Sequence, residues 1–117
     1  MKKILVADDE DILRMLITDT LEDDFNVIEA EDGWEALSSI RSGTYDLIIL
    51  DYMMPHLTGM EVLEQIRKDG IETPVMMLTA KAQEADRELA MSHGADYFMA
   101  KPFSPIELLS LVESILD

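Results

Sequence analysis

Five short apolar runs alternate with longer segments whose apolar residues recur at helical spacing. The runs are KILVA (3–7), NVIEA (26–30), DLIIL (46–50), PVMML (74–78) and DYFMA (96–100). The first, third and fourth are nearly continuous in apolar character, which suits strands of a parallel sheet covered on both faces. The second is broken by polar residues, which suits an edge. Between residues 11 and 23 the apolar positions Leu13, Leu16, Ile17 and Leu21 fall on one helical face, with Asp11 as a candidate N-cap. DGWE (32–35) opens a second helical segment that closes at Gly43. TGME (58–61) reads as a capping box above Val62, Leu63 and Ile66, with Gly70 after them. An alanine-rich stretch (82–93) closes at Gly94 and carries few large apolar side chains, which predicts the loosest helix of the five. SPIE (104–107) is the strongest start signal, with Ser as N-cap, Pro at the first helical position and Glu at the third.

The order is (βα)5, with short connections. The predicted fold class is α/β: a doubly wound five-stranded parallel sheet between two helical layers, a three-layer sandwich over one domain of residues 1–117.

Composition narrows the function. At 48% hydrophobic the chain can bury a core. Its formal charge of −16 repels nucleic-acid phosphates, and no basic stripe overrides that field, so direct nucleic-acid binding by this chain is not expected. There is no cysteine, which excludes disulfides and thiolate metal sites and fits a reducing compartment. Two histidines, His56 and His93, are too few for a histidine metal cluster. The N-terminal apolar run is too short for a signal peptide, and no run approaches the ~20 apolar residues of a membrane span. The chain reads as cytoplasmic, with no membrane partner.

In open α/β sheets the functional crevice lies beyond the carboxyl ends of the strands. The first run ends on Asp8, Asp9 and Glu10, the third on Asp51, the fourth on Thr79, and the fifth on Lys101 and Pro102. Carboxylates, a hydroxyl and an ammonium thus converge on one sheet edge. Two carboxylates ~4 Å apart repel by about 4 kcal/mol at an effective dielectric near 20. Such a cluster either splays into water or holds a cation. All-oxygen ligands favour a hard ion such as Mg²⁺, with Mn²⁺ as a substitute.

These residues, in this order, resemble the receiver domain of two-component response regulators, which has a flavodoxin-like fold. The resemblance spans the whole chain and rests on Asp8-Asp9, DGWEAL (32–37), DYMMPHLTG (51–59), LTA (78–80), GAD (94–96) and KPF (101–103). It implies strand order 2-1-3-4-5. It implies that Asp51 is the phosphoryl acceptor, forming a 4-aspartylphosphate. Asp9 would bind Mg²⁺ directly, Asp8 largely through water, and the Met53 backbone carbonyl would complete the protein ligands together with Asp51. Lys101 and Thr79 would contact phosphoryl oxygens, and Thr79 and Phe98 would form the switch. The Lys101–Pro102 peptide is expected to be cis. Three carboxylates, Mg²⁺ and one lysine sum to about zero charge, and a dianionic acyl phosphate makes that about −1.

The implied function is phosphorelay signal transduction. The donor is a histidine kinase or histidine phosphotransfer protein. The downstream partner is an unknown protein, reached through the face built from the fourth helix, fifth strand and last helix. The domain is no enzyme in the ordinary sense, though it catalyses its own phosphoryl transfer and dephosphorylation. Met53 and Lys81 flank the path of attacking water, and an apolar Met53 implies slow hydrolysis. No Lys or Arg follows Lys101, so dimer ion pairs through the last helix are not expected, and a monomer or weak dimer is. The chain is either a stand-alone receiver or an excised piece.

Other chemistries fit less well. A haloacid-dehalogenase-like phosphatase needs an acid where Met53 stands. Flavin binding needs a phosphate-cradling loop where DDED (8–11) stands. A calcium EF-hand started at Asp9 has Leu13 and Arg14 at its fifth and sixth positions, where a ligand and Gly belong. The alternative is a receiver-like protein-interaction module working without phosphorylation, against which the intact acceptor site argues.

Overall fold

Each of the five apolar runs forms a strand, and each segment between or after them forms a helix. The computed structural model describes residues 1–80 and 84–117. In chain order the elements are β1 (Lys3–Ala7), α1 (Asp11–Leu21), β2 (Asn26–Ala30), α2 (Gly33–Ser42), β3 (Leu47–Asp51), α3 (Gly59–Lys68), β4 (Val75–Thr79), α4 (Glu84–Ser92), β5 (Tyr97–Ala100) and α5 (Pro105–Leu116). The strands form one parallel sheet in the order β2-β1-β3-β4-β5. The polar-interrupted run is therefore an edge strand, and β3 is central, flanked by β1 and β4. Lys81 and the first two positions of the predicted fourth helix lie outside the described residues.

Side chains alternate across a strand, so each strand feeds two cores. Leu5, Ala7, Ile48, Leu50, Val75 and Met77 pack on one side with residues of α2 and α3. Ile4, Val6, Leu47, Ile49, Met76 and Leu78 pack on the other with residues of α1 and α5. A fully buried Leu or Ile contributes about 1.5–3 kcal/mol by leaving water. Covering both faces of β1, β3 and β4 is what demands their near-continuous apolar sequence. The alternation also carries past the strand tips. Asp8, Asp51 and Lys101 continue the series that faces α1 and α5, whereas Thr79 continues the series facing α2 and α3, with which Phe98 also packs.

The starts of α2, α3 and α5 behave as their sequences predict. Thr58 and Glu61 form a reciprocal capping box, with the Glu61 N–H donating to Thr58 Oγ1 at 3.2 Å and the Thr58 N–H donating to Glu61 Oε1 at 3.0 Å. Asp32 accepts from the Glu35 N–H at 2.8 Å, and Ser104 from the Glu107 N–H at 3.1 Å. Such caps are typically worth ~1 kcal/mol each.

Helix α1 corrects two expectations. Asp11 is its first helical residue rather than its N-cap; Glu10 holds the cap position, with no side-chain cap bond. Its buried stripe is Arg14, Ile17 and Leu21, so Leu16 is displaced from the inner face and is 40% exposed. The physical reason is the pairing available to Arg14, described below, which makes an inward guanidinium tolerable.

Candidate functional site

The tips of β1, β3 and β5 meet at one end of the sheet. Asp51 is the last residue of the central strand and is 4% exposed. Asp8, directly after β1, is fully buried, while Asp9 is exposed. One carboxylate oxygen from each of Asp8, Asp9 and Asp51 lies within 4.8 Å of the other two. Lys101 follows β5 and sends its ammonium into this group: Nζ donates to Asp51 Oδ1 at 3.0 Å and to Asp8 Oδ2 at 3.3 Å, and pairs with Glu10 Oε1 at 3.6 Å. The backbone fixes that reach, because the Lys101 N–H donates to the Thr79 carbonyl at 2.7 Å. The Lys101–Pro102 peptide is cis, as expected.

The electrostatics are unbalanced. Three carboxylates and one ammonium leave a formal charge of −2 on Asp8, Asp9, Asp51 and Lys101. Burial, then the charges of Asp8 and Asp9, push the Asp51 carboxyl up from 3.8 to about 6 despite the opposing pull of Lys101. Burial likewise raises Asp8, against its hydrogen bond from the Glu10 N–H and the attraction of Lys101. For Lys101 burial works against the charge, but Asp51 and Asp8 outweigh it and the ammonium is held more tightly than usual. With Asp8 and Asp51 buried, a net negative charge and a donor set that is all oxygen, the group suits a hard divalent cation. The residues present therefore fit Mg²⁺.

The loop after β3 is tightly held. The Tyr52 N–H donates to the Leu78 carbonyl at 2.8 Å, and the Gly59 N–H donates to the Tyr52 carbonyl at 3.0 Å. A Cβ at Gly59 would collide with the Asp51 carbonyl oxygen, so the start of α3 packs directly on the Asp51 backbone. Within the loop His56 takes a φ of +72° and stacks on Trp34 of α2, with ring centroids 4.1 Å apart. The Met53 side chain is exposed. Thr79 is 2% exposed at the tip of β4, and Phe98 is half-buried in the neighbouring strand, where its partner in register is Met77.

One residue of this region had no part in the expectations. Arg14 is 8% exposed, yet each of its three guanidinium nitrogens has a hydrogen-bond partner. Nη1 donates to the Asp8 carbonyl at 2.7 Å, Nε to Glu29 Oε1 at 2.9 Å and Nη2 to Asp11 Oδ1 at 2.7 Å. Glu31 Oε1 lies 3.6 Å away. The signal was an Asp11–Arg14 i,i+3 pair together with Glu29 at the end of β2.

A cleft of about 580 Å³ opens beside Lys101, lined among others by Glu10, Ile12, Leu16 and Phe103. Among the described residues no helix is long and apolar enough to cross a membrane.

The chain is similar in sequence and fold to known proteins. A family model for the response regulator receiver domain matches residues 4–113. The alkaline phosphatase synthesis transcriptional regulatory protein PhoP of Bacillus subtilis is 47% identical over 98% of this chain and 48% of its own length. The transcriptional regulatory protein CpxR of Escherichia coli K12 is 43% identical over 99% of this chain and 50% of its own. The chain thus spans about half the length of the curated relatives it matches. Among solved structures, the receiver domain of the Francisella response regulator 1452 superposes with a TM-score of 0.95 at 36% identity, covering 99% of this chain and 97% of that one. The response regulator TrrA of Thermotoga maritima, solved in complex with Mg²⁺ and BeF, does so at 0.87 and 39%, covering 99% and 100%. With a family model matching residues 4–113 and a fold that superposes on solved receiver domains, the chain belongs to the receiver-domain family of response regulators.

Proposed function

We propose that Asp51 accepts a phosphoryl group from a histidine kinase or histidine phosphotransfer protein, and that the resulting aspartyl phosphate switches an output surface. The observation that carries this reading is the buried Asp51 carboxylate, 3.0 Å from the Lys101 ammonium and grouped with Asp8 and Asp9 at the carboxyl end of the sheet. A carboxylate oxygen of Asp51 forms a bond to phosphorus as the nitrogen–phosphorus bond of the donor phosphohistidine breaks. The electron pair of that bond leaves on the imidazole nitrogen. Lys101 holds Asp51 in place and offsets the negative charge of the incoming group, an electrostatic contribution made before reaction begins.

The carboxylates of Asp8, Asp9 and Asp51 and the Met53 carbonyl would hold Mg²⁺. Bound there, Mg²⁺ supplies neutralisation of charge on the phosphoryl oxygens. Thr79, on the opposite face of the sheet edge from Lys101, donates its hydroxyl to a phosphoryl oxygen. Phe98 then occupies the space Thr79 vacates. Coupling of this kind is typically ~1–3 kcal/mol and shifts a balance between existing states. The exposed Ile12 and Leu16 beside the cleft offer apolar contact to the donor. The reading places the domain in the cytoplasm, as is general for response regulators. The relatives are named transcriptional regulatory proteins, and this chain matches about half of their length. The net charge of −16 argues against DNA contact by the receiver itself.

The test is incubation with Mg²⁺ and a small phosphodonor, followed by intact mass. One added phosphoryl group is expected, lost in Asp51→Asn. No added mass, or mass that persists in that variant, would sink the proposal and leave the phosphorylation-independent module as the better reading.

A further inference from the structure

Resting on the receiver reading above, we infer that Arg14 is a positioning residue that holds the Asp8–Asp9 peptide and thereby sets the affinity of the acid pair for Mg²⁺. An arginine on the inner stripe of a helix costs desolvation unless its donors are paired. Here every nitrogen has a partner, and the shortest contact not to a carboxylate is Nη1 to the Asp8 carbonyl at 2.7 Å. That carbonyl belongs to the peptide joining the two acids. Because a peptide is planar, holding its oxygen also orients its N–H and the Asp9 Cα. Asp8 is fixed at its other atoms as well: its N–H donates to the Ala30 carbonyl at 3.2 Å and Oδ1 accepts from the Glu10 N–H at 2.8 Å. Asp9 is exposed, so side-chain packing does little to aim it, and the backbone must.

Charge and geometry predict opposite outcomes for this residue. Arg14 faces three carboxylates, those of Asp11, Glu29 and Glu31, and is locally overcompensated. If only its charge mattered, removing it would take a cation away from a cation site and tighten Mg²⁺ binding. If it positions the Asp8–Asp9 peptide, removing it loosens binding, because partners that orient metal ligands typically contribute 10–100-fold in affinity. Lysine keeps the charge but loses the planar fork that reaches a carbonyl and two carboxylates together.

The experiment is calorimetric titration of the intact chain with Mg²⁺, paired with thermal unfolding in chelator. Arg14→Met is expected to bind Mg²⁺ about 10-fold more weakly. Arg14→Lys should recover part of that loss. Glu29→Gln, which leaves the Nη1–Asp8 contact in place, should stay within roughly 3-fold of the original affinity. Unchanged or tighter binding in Arg14→Met, with only the unfolding temperature lowered, assigns Arg14 a purely structural role and overturns the inference. Should Arg14→Met not fold, Arg14→Lys decides: weakening supports the inference and unchanged affinity overturns it. Asp9→Asn separates the two levels of the argument. If the original chain binds no Mg²⁺, or Asp9→Asn binds it equally well, the acid-site reading itself fails and takes this inference with it. If Asp9→Asn abolishes binding while Arg14→Met does not affect it, only the role of Arg14 falls.

Discussion

Two cations reach Asp8, and they are held in contrasting ways. Lys101 Nζ meets its carboxylate at 3.3 Å, inside an acid group that one ammonium leaves underneutralised. Arg14 meets its backbone carbonyl at 2.7 Å, and its remaining donors face more carboxylate charge than it carries. Lysine is a compact charge on a flexible stem, able to follow an oxygen that gains charge. Arginine is a planar fork that fixes several groups at once. The site thus separates a charge that can respond from a frame that should not move.

The largest effect that would break this contrast is loss of the responsive charge. Lys101→Met should slow phosphorylation of Asp51 by about 100-fold or more, the scale seen when a preorganised electrostatic contact is removed. The rate of mass gain from a small phosphodonor measures it; a rate within a few-fold of the original would mean that Lys101 only packs.

The next effect is on stability and follows from the raised Asp51 pKa. In the folded chain its proton is held up to about pH 6, against an ordinary value of 3.8. The folded state therefore binds this proton more tightly than the unfolded state, so stability falls as pH rises from about 4 to about 6. The shift corresponds to roughly 3 kcal/mol, and the raised pKa of Asp8 acts in the same direction. Lys101, also raised, contributes stability that is lost only in the alkaline range above 10.5. In chelator, Asp51→Asn should remove most of the acidic-range decline seen by denaturant unfolding. A variant whose pH profile overlays that of the original chain would show that Asp51 is not the group responsible.

The smallest effect concerns the rim. Glu10 lies 3.6 Å from Lys101 but is well exposed, so Glu10→Gln should change unfolding free energy by no more than about 0.5 kcal/mol. A change above ~1 kcal/mol would mean that the rim carries part of the charge balance assigned to Asp8 and Asp51.

Most of the architecture was legible because each element states its own boundary. Strands buried on both faces needed uninterrupted apolar runs, and Thr58, Ser104 and Asp32 announced helix starts through local hydrogen bonds. Asp8, Asp51, Thr79 and Lys101 stood out because each interrupts or follows an apolar run at its carboxyl end. Strand order was not written in the pattern, since a crossover of given length can land on either side; only the resemblance supplied it. Arg14 was missed for a different reason. An apolar stripe drawn through Leu13, Leu16, Ile17 and Leu21 is self-consistent, and only the carbonyl of Asp8 and the carboxylate of Glu29, from two different strand ends, make the inward arginine the better solution. The same long-range dependence hides the stack of Trp34 on His56.

The side-to-side alternation of the strands has a consequence for length changes in this chain. Asp51 points toward Lys101 because it is an even number of residues from Leu47 and Ile49, which face α1 and α5. One residue inserted within β3 ahead of Asp51 would turn the acid toward α2 and α3. Two residues would restore its side but carry it roughly 7 Å beyond the ammonium. Neither indel can be rescued by changing side chains, so β3 admits substitutions far more readily than a shift in count.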